Sequence, residues 1–148
     1  MKIAIGCDHS ALELKEGIIK HLKDLGHEVY DKGTFTNESC DYTDYGFMVA
    51  KDVQNKNVDF GIVICFTGIG MSMIANKVKG VRCALVYNTD AAKLTREHND
   101  ANVLALSAKF LGLSYANDIV DTFLTTEFSH GPRHEKRLSK MAKYEEEF

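Results

Sequence analysis

A chain of 148 residues with 45% apolar residues and a net charge of −3 is long enough to bury one core and lacks the basic excess of a nucleic-acid binder. No apolar run approaches the ~18 residues of a membrane span, and the opening Met1-Lys-Ile-Ala-Ile-Gly-Cys-Asp-His9 reaches a charge too soon for a secretory signal. The expectation is one cytoplasmic domain over residues 1–148, bound to neither nucleic acid nor membrane, whose ligand is small.

In chain order, Lys2–Gly6 is a short β-branched run that reads as a strand. Ser10-Ala-Leu-Glu13 has the form of a capping box, and Leu14, Ile18, Leu22 and Leu25 follow at helical spacing, with Gly26 placed for a left-handed C-terminal cap. A strand is expected around Glu28–Tyr30, a loop from Gly33 to Asp41, and a helix from Asp41 to Asn55 with Asp41 as its cap. Phe60–Ile64 is an unbroken apolar strand of the kind covered on both faces, and Val81–Tyr87 and Asn102–Leu106 read as two more. Helices fill Gly70–Lys79, Asp90–His98, Lys109–Thr125 and Pro132–Glu147, the last opened by the only proline, where its missing amide costs little. There is no internal repeat, linker or low-complexity tract. Five strands alternating with helices predict an α/β fold, a three-layer α/β/α sandwich around a mostly parallel sheet. In such sheets ligands bind beyond the carboxyl ends of the strands.

Three segments are read at strand ends: Gly6-Cys-Asp-His9, Cys65-Phe-Thr-Gly-Ile-Gly-Met-Ser72 and the stretch around His98. Thr67-Gly-Ile-Gly70 lies between a strand and a helix, where backbone amides converge on one concavity and suit an oxyanion or phosphate. The same turn also serves tight packing alone. It lacks the lysine of a Walker loop and the last glycine of a dinucleotide fingerprint, which disfavours a nucleotide site. Cys65 stands where the strand ends and the next helix begins, a setting that makes a thiolate available as base or nucleophile, although lone cysteines are commonly small core residues. Cys7, at a similar strand end, is its internal control. The four cysteines, Cys7, Cys40, Cys65 and Cys83, form no C-x-x-C pair and no Cys/His cluster of zinc spacing, so neither a redox dithiol nor a metal is signalled.

Asp8-His9 would face the same cleft, a histidine beside a carboxylate being open to fixation in one tautomer, or else a surface pair. His98, in Arg96-Glu-His-Asn-Asp-Ala-Asn102, ends a helix, where a histidine also serves simply as a dipole partner. Arg133 and Arg137, four residues apart on the final helix, project from one face and can grip a phosphate or form a solvated basic face. That helix, about 132–147, can reach a partner subunit.

Taken together, Gly6-Cys-Asp-His9, Asp41-Tyr, Cys65-x-Thr-Gly-Ile-Gly70-x-Ser72, Ala75-Asn-Lys77, Arg96-Glu-His-Asn-Asp-Ala-Asn102 and Gly131-x-Arg-His134 resemble the ribose-5-phosphate isomerase B family, part of a sugar-phosphate isomerase group that also holds galactose-6-phosphate isomerase subunits. The likeness spans essentially the whole chain, and order and spacing carry it. It implies a flavodoxin-like or Rossmann-like sandwich and a homodimer whose active sites are shared across the interface, with a dimer of dimers as a further state. The implied reaction interconverts aldose and ketose phosphates without metal or other cofactor. By matching position, Cys65 would be the base that moves a proton between C2 and C1. Thr67 and the amides of Gly68, Ile69, Gly70, Met71 and Ser72 would hold the enediolate, and His98 would open the sugar ring. Asp8 and Asn99 would orient hydroxyls, and His9, Arg133 and Arg137 would bind the phosphate.

Three positions depart from the family pattern. Phe66 stands where glycine is usual, bringing a ring to the rim of the site and a penalty if positive φ is needed there. Pro132 replaces a glycine, and Lys109 replaces an arginine that can help hold the phosphate, keeping the charge without the two-pronged fork. His98 and the Arg133/Arg137 pair favour ribose 5-phosphate over galactose 6-phosphate, with allose 6-phosphate as a longer alternative. Rival readings from other classes are a non-catalytic phosphate-binding module, for which Cys65 would be dispensable, and a thiol redox protein resolved by Cys7.

Overall fold

The computed structural model describes residues 1–148. Five strands, β1 (Lys2–Cys7), β2 (Glu28–Asp31), β3 (Phe60–Cys65), β4 (Cys83–Leu85) and β5 (Val103–Ser107), form one sheet in the order β2-β1-β3-β5-β4. Every pairing is parallel, so the sheet is wholly rather than mostly parallel. Six helices accompany it: α1 (Leu12–Asp24), α2 (Tyr42–Gln54), α3 (Ile69–Ala75), α4 (Thr89–Asn99), α5 (Leu113–Thr125) and α6 (Pro132–Glu145). The chain lays β2 on one side of β1 and β3 on the other, which puts the reversal of strand order at β1/β3. It then skips a place, sets β4 at the far edge and returns to insert β5. A flavodoxin-like order of 2-1-3-4-5 is thus matched through its first three strands and exchanged in the last two.

The pleat sorts the strands' side chains by size. Ile3, Ile5, Cys7, Ile62, Ile64, Leu104 and Leu106 face a core closed by α1, α4 and α5, where Ile18, Ile119 and Phe123 are fully buried. Each such side chain contributes about 1.5–3 kcal/mol by leaving water. The opposite face carries smaller residues, among them Ala4, Val63, Cys65, Val103 and Ala105, against Val49, Ala50 and Val53 of α2 and Met71 and Ala75 of α3. Gly61 belongs to this face because a Cβ there would come within 2.7 Å of Val49. Cys65 is therefore on the face covered by α2 and α3, and Cys7 is on the other.

Several boundaries differ from the expectations for local reasons. A 3₁₀ turn, His9–Ala11, precedes α1, and the Asp8 carboxylate accepts both the Ser10 amide (3.0 Å) and the Ser10 hydroxyl (2.5 Å). Ser10 therefore does not cap α1, and Ala11 stands at that position without a side-chain bond. Gly26 does close α1 with φ +86°, the Gly26 and His27 amides donating to Lys23 and Leu22 carbonyls at 2.9 and 3.0 Å. Asp41 occupies the cap position of α2 but its carboxylate makes no capping bond. Helix α3 stops at Ala75 instead of Lys79 because Asn76 turns the chain: its Nδ2 donates to the carbonyls of Ser72 and Cys83, each at 2.9 Å, and its Oδ1 accepts the Cys83 amide at 2.8 Å. Helix α5 begins at Leu113 rather than Lys109, since the amides of Ala108 and Lys109 are tied to the carbonyls of Cys65 and Phe66. Helix α6 buries no residue and is held at its far end by the Gly80 amide, which donates to the Glu145 carboxylate at 3.1 Å. No helix is long and apolar enough to cross a membrane.

Candidate active site

The carboxyl ends of β1, β3 and β5 lie side by side, with Cys7 opposite Ile64 and Cys65 opposite Ser107. The Asp8 amide donates to the Ile64 carbonyl at 3.2 Å, which places the Asp8-His9 pair beside the end of β3. Asp8 is 8% exposed; its Oδ1 accepts both Ser10 bonds, and its Oδ2 makes none within the chain.

Cys65 is 5% exposed, and its Sγ accepts the Gly68 amide at 3.2 Å. Gly68 must be glycine for this: its φ is +80°, and an added Cβ would meet the Leu106 carbonyl oxygen at 2.9 Å.

The remaining amides of the turn divide. Ile69 donates to Thr67 Oγ1 (3.3 Å) and Ser72 to the Gly68 carbonyl (3.0 Å), while the Gly70 and Met71 amides have no acceptor within the chain. Of the five amides expected to form an anion cradle, then, three are engaged and two are unpaired, that of half-buried Gly70 and that of fully buried Met71. Thr67 is itself fixed, its carbonyl accepting the Tyr87 hydroxyl at 3.2 Å. Ser72 Oγ donates to the Ile69 carbonyl at 2.7 Å.

Phe66 is 52% exposed, and its φ is not positive, so a side chain there carries no backbone penalty. The Lys109 ammonium lies 5.2 Å from the centre of the Phe66 ring and 5.7 Å from that of Phe110, a cation held over two aromatic faces at the rim.

The other expected residues lie elsewhere. Helix α4 starts beyond the carboxyl end of β4 and returns antiparallel to it, so His98 and Asn99 arrive at the amino-terminal edge of the sheet. There Arg82, just before β4, donates to the Asn99 carbonyl at 3.1 Å. The length of β5, about 13 Å at ~3.3 Å per residue, separates that edge from Cys65. The reading of the His98 segment as one of three at the ligand-binding strand ends is thus corrected: within one chain it lies before the amino end of β5. The His98 ring packs on His134 at 4.4 Å between centres. Exposed Arg133 and Arg137 stand on the same first turns of α6. Loss of hydration, His98, Arg137 and Arg133 together push His134 below the ordinary histidine range. Each chain therefore carries a thiol with unpaired amides at one pole and a cationic cluster at the other.

Three residues near the first pole were assigned no role from the sequence. Lys15 sits on the apolar stripe of α1 and is fully buried, donating at 2.6 Å to both Asp31 and the Thr34 carbonyl, which anchors the loop after β2. Farther along that loop the Cys40 amide donates to His9 Nδ1 at 3.2 Å. The Tyr42 ring lies against Gly70, where a Cβ would approach it to 2.6 Å. Only Tyr42 stood within a noted motif, Asp41-Tyr.

The sequence profile described as Ribose/Galactose Isomerase matches residues 3–141. The ribose-5-phosphate isomerase B of Escherichia coli (strain K12) is 43% identical over 145 residues, 98% of this chain and 97% of that one. The ribose-5-phosphate isomerase B structure from Clostridium thermocellum superposes with a TM-score of 0.97 at 50% identity, covering 99% of both chains. That of Mycoplasma genitalium, solved with bound ribulose-5-phosphate, gives 0.94 at 45% identity over 99% of this chain and 97% of the other.

Proposed function

The chain belongs to the ribose/galactose isomerase family, and on that premise we propose that it is an aldose-ketose isomerase interconverting ribose 5-phosphate and ribulose 5-phosphate. The observation that carries the chemistry is the Gly68 amide donating to Cys65 Sγ beside the unpaired amides of Gly70 and Met71.

In the direction of ribulose formation, Cys65 as thiolate takes the proton from C2 of the open aldose. The electron pair moves into the C1–C2 bond, and the carbonyl oxygen O1 becomes the enediolate oxygen. The Gly70 and Met71 amides, with Thr67 and the rest of the 68–72 turn around them, stabilise that charge where it develops. The proton on O2 passes to O1, C2 becomes the carbonyl, and Cys65 returns its proton to C1. Asp8 orients a sugar hydroxyl.

His98 opens the furanose and Asn99 orients hydroxyls from a second copy of the chain. His9 on one copy, with Arg133 and Arg137 of the other, holds the phosphate, and Lys109 adds charge at the rim. Two features support this homodimer. The cationic cluster and the thiol lie at opposite poles of one chain. Phe47, Met48, Phe66, Ile69 and Met73, on or beside the helices that cover Cys65, are 38–61% exposed, apolar surface of the kind a partner chain would cover.

The test compares the protein with its Cys65→Ala variant on ribose 5-phosphate in deuterated water. The protein forms ribulose 5-phosphate and incorporates deuterium at carbon, and the folded variant loses about 10²–10⁴-fold in kcat. Equal rates would move the base to another residue, and no turnover by either on this substrate, allose 6-phosphate or galactose 6-phosphate would overturn the isomerase assignment.

A further inference from the structure

His9 opens the 3₁₀ turn after β1, and its Nδ1 receives the Cys40 amide at 3.2 Å, with Cys40 Sγ 3.8 Å away. A backbone amide has no second role: it donates and never accepts. Nδ1 must therefore present a lone pair, which leaves the ring proton on Nε2. A neighbouring aspartate is the usual partner that settles a histidine tautomer, and here Asp8 does not do so: its Oδ1 accepts from the Ser10 amide and hydroxyl, and neither of its oxygens bonds the His9 ring. Protonating Nδ1 would set two N–H groups against each other.

We propose that the Cys40 amide fixes His9 as the neutral Nε2–H tautomer, so that His9 meets the phosphate as an uncharged hydrogen-bond donor. This rests on the isomerase reading for its ligand and on the geometry alone for the tautomer. It divides the labour of phosphate binding. Arg133, Arg137 and Lys109 supply charge, and His9 supplies one directed N–H from the pole that holds Cys65. Cys40 is a positioning residue acting through its main chain, which is why no side-chain pattern announces it.

The full chain labelled with ¹⁵N-histidine reports the tautomer directly, the His9 signals being identified by their loss in His9→Gln. The expected spectrum at neutral pH has Nε2 protonated and Nδ1 bare. A proton on Nδ1, or on both nitrogens, overturns the proposal. Kinetics give a second arm. Gln places an amide donor near the position of Nε2–H, whereas Asn places one near Nδ1, facing the Cys40 amide. His9→Gln should keep a KM for ribose 5-phosphate about tenfold lower than His9→Asn, the worth of one hydrogen bond, and equal or reversed values would refute the role. Cys40→Ala, which retains the amide, should leave the His9 spectrum unchanged, and a changed tautomer there would assign the effect to the thiol and overturn the role of the amide. If no sugar phosphate turns over, the isomerase reading fails while the spectrum still decides the tautomer.

Discussion

Cys7 and Cys65 end neighbouring strands at the same edge of the sheet, yet their sulfurs meet opposite surroundings. Cys7 lies in the large-residue core, where burial pushes its thiol up to about 12 against partial relief from Lys15. Cys83 is likewise raised to about 12 by burial. Both stay protonated in the folded protein and ionise near 9 when unfolded. The unfolded chain then binds fewer protons above pH 9, so stability falls as pH rises from about 9 to 12. A Cys7→Ala/Cys83→Ala variant should show a flatter decline of its denaturation midpoint across that window. Iodoacetamide at mildly alkaline pH should spare Cys7 and Cys83 in the native protein, and peptide mapping would read this. Labelling of Cys7 as fast as Cys65 would contradict the division. The sequence placed both cysteines at strand ends but not the faces they occupy, because the pleat alternates and its phase is set by helices from distant parts of the chain.

At the scale of elements, the turn between β3 and α3 concentrates the demands of the site on one glycine. Gly68→Ala would combine a positive φ with a Cβ 2.9 Å from the Leu106 carbonyl oxygen, which is held in the backbone of β5, and 2.6 Å from the Leu85 Cδ1 methyl. It should cost about 2 kcal/mol or more by urea denaturation, and kcat should fall further than stability explains, since the amide on Cys65 Sγ moves with the turn. Gly26→Ala at the end of α1, where nothing lies within 4 Å of the added Cβ, should show the backbone cost alone, about 1 kcal/mol, with kcat unchanged. Gly26, the strands and Pro132 at the start of α6 were legible because each is decided within a few residues. The early end of α3 and the late start of α5 were not, since Asn76 reaches β4 and residues 108–109 are tied to β3. The capping box at Ser10 failed for a nearer reason: Asp8, two residues earlier, took its hydroxyl.

For the whole molecule, the direction of α4 decides what one chain can do. Strand-end reasoning located the thiol, the turn and Asp8-His9, and it missed that His98 is carried to the opposite edge, because strand order and helix direction are not written in any single segment. Mixing Cys65→Ala with His98→Asn chains tests the proposed sharing of the site between two chains. In a mixed dimer one site has both native residues and the other neither, so about a quarter of wild-type activity should return after random exchange. Confirmed mixed dimers without recovery would show that the two residues do not meet across the interface. The sheet itself ends on a different device. Asn76 offers Cys83 a donor and an acceptor where another strand would sit, so the margin of the sheet is closed by a side chain and not by more chain. Hydrolysis of that amide to an acid, the ordinary ageing of asparagine, sets a carboxylate against two carbonyls and reopens the margin. In a stored preparation, self-association along β4 would then precede any loss of fold.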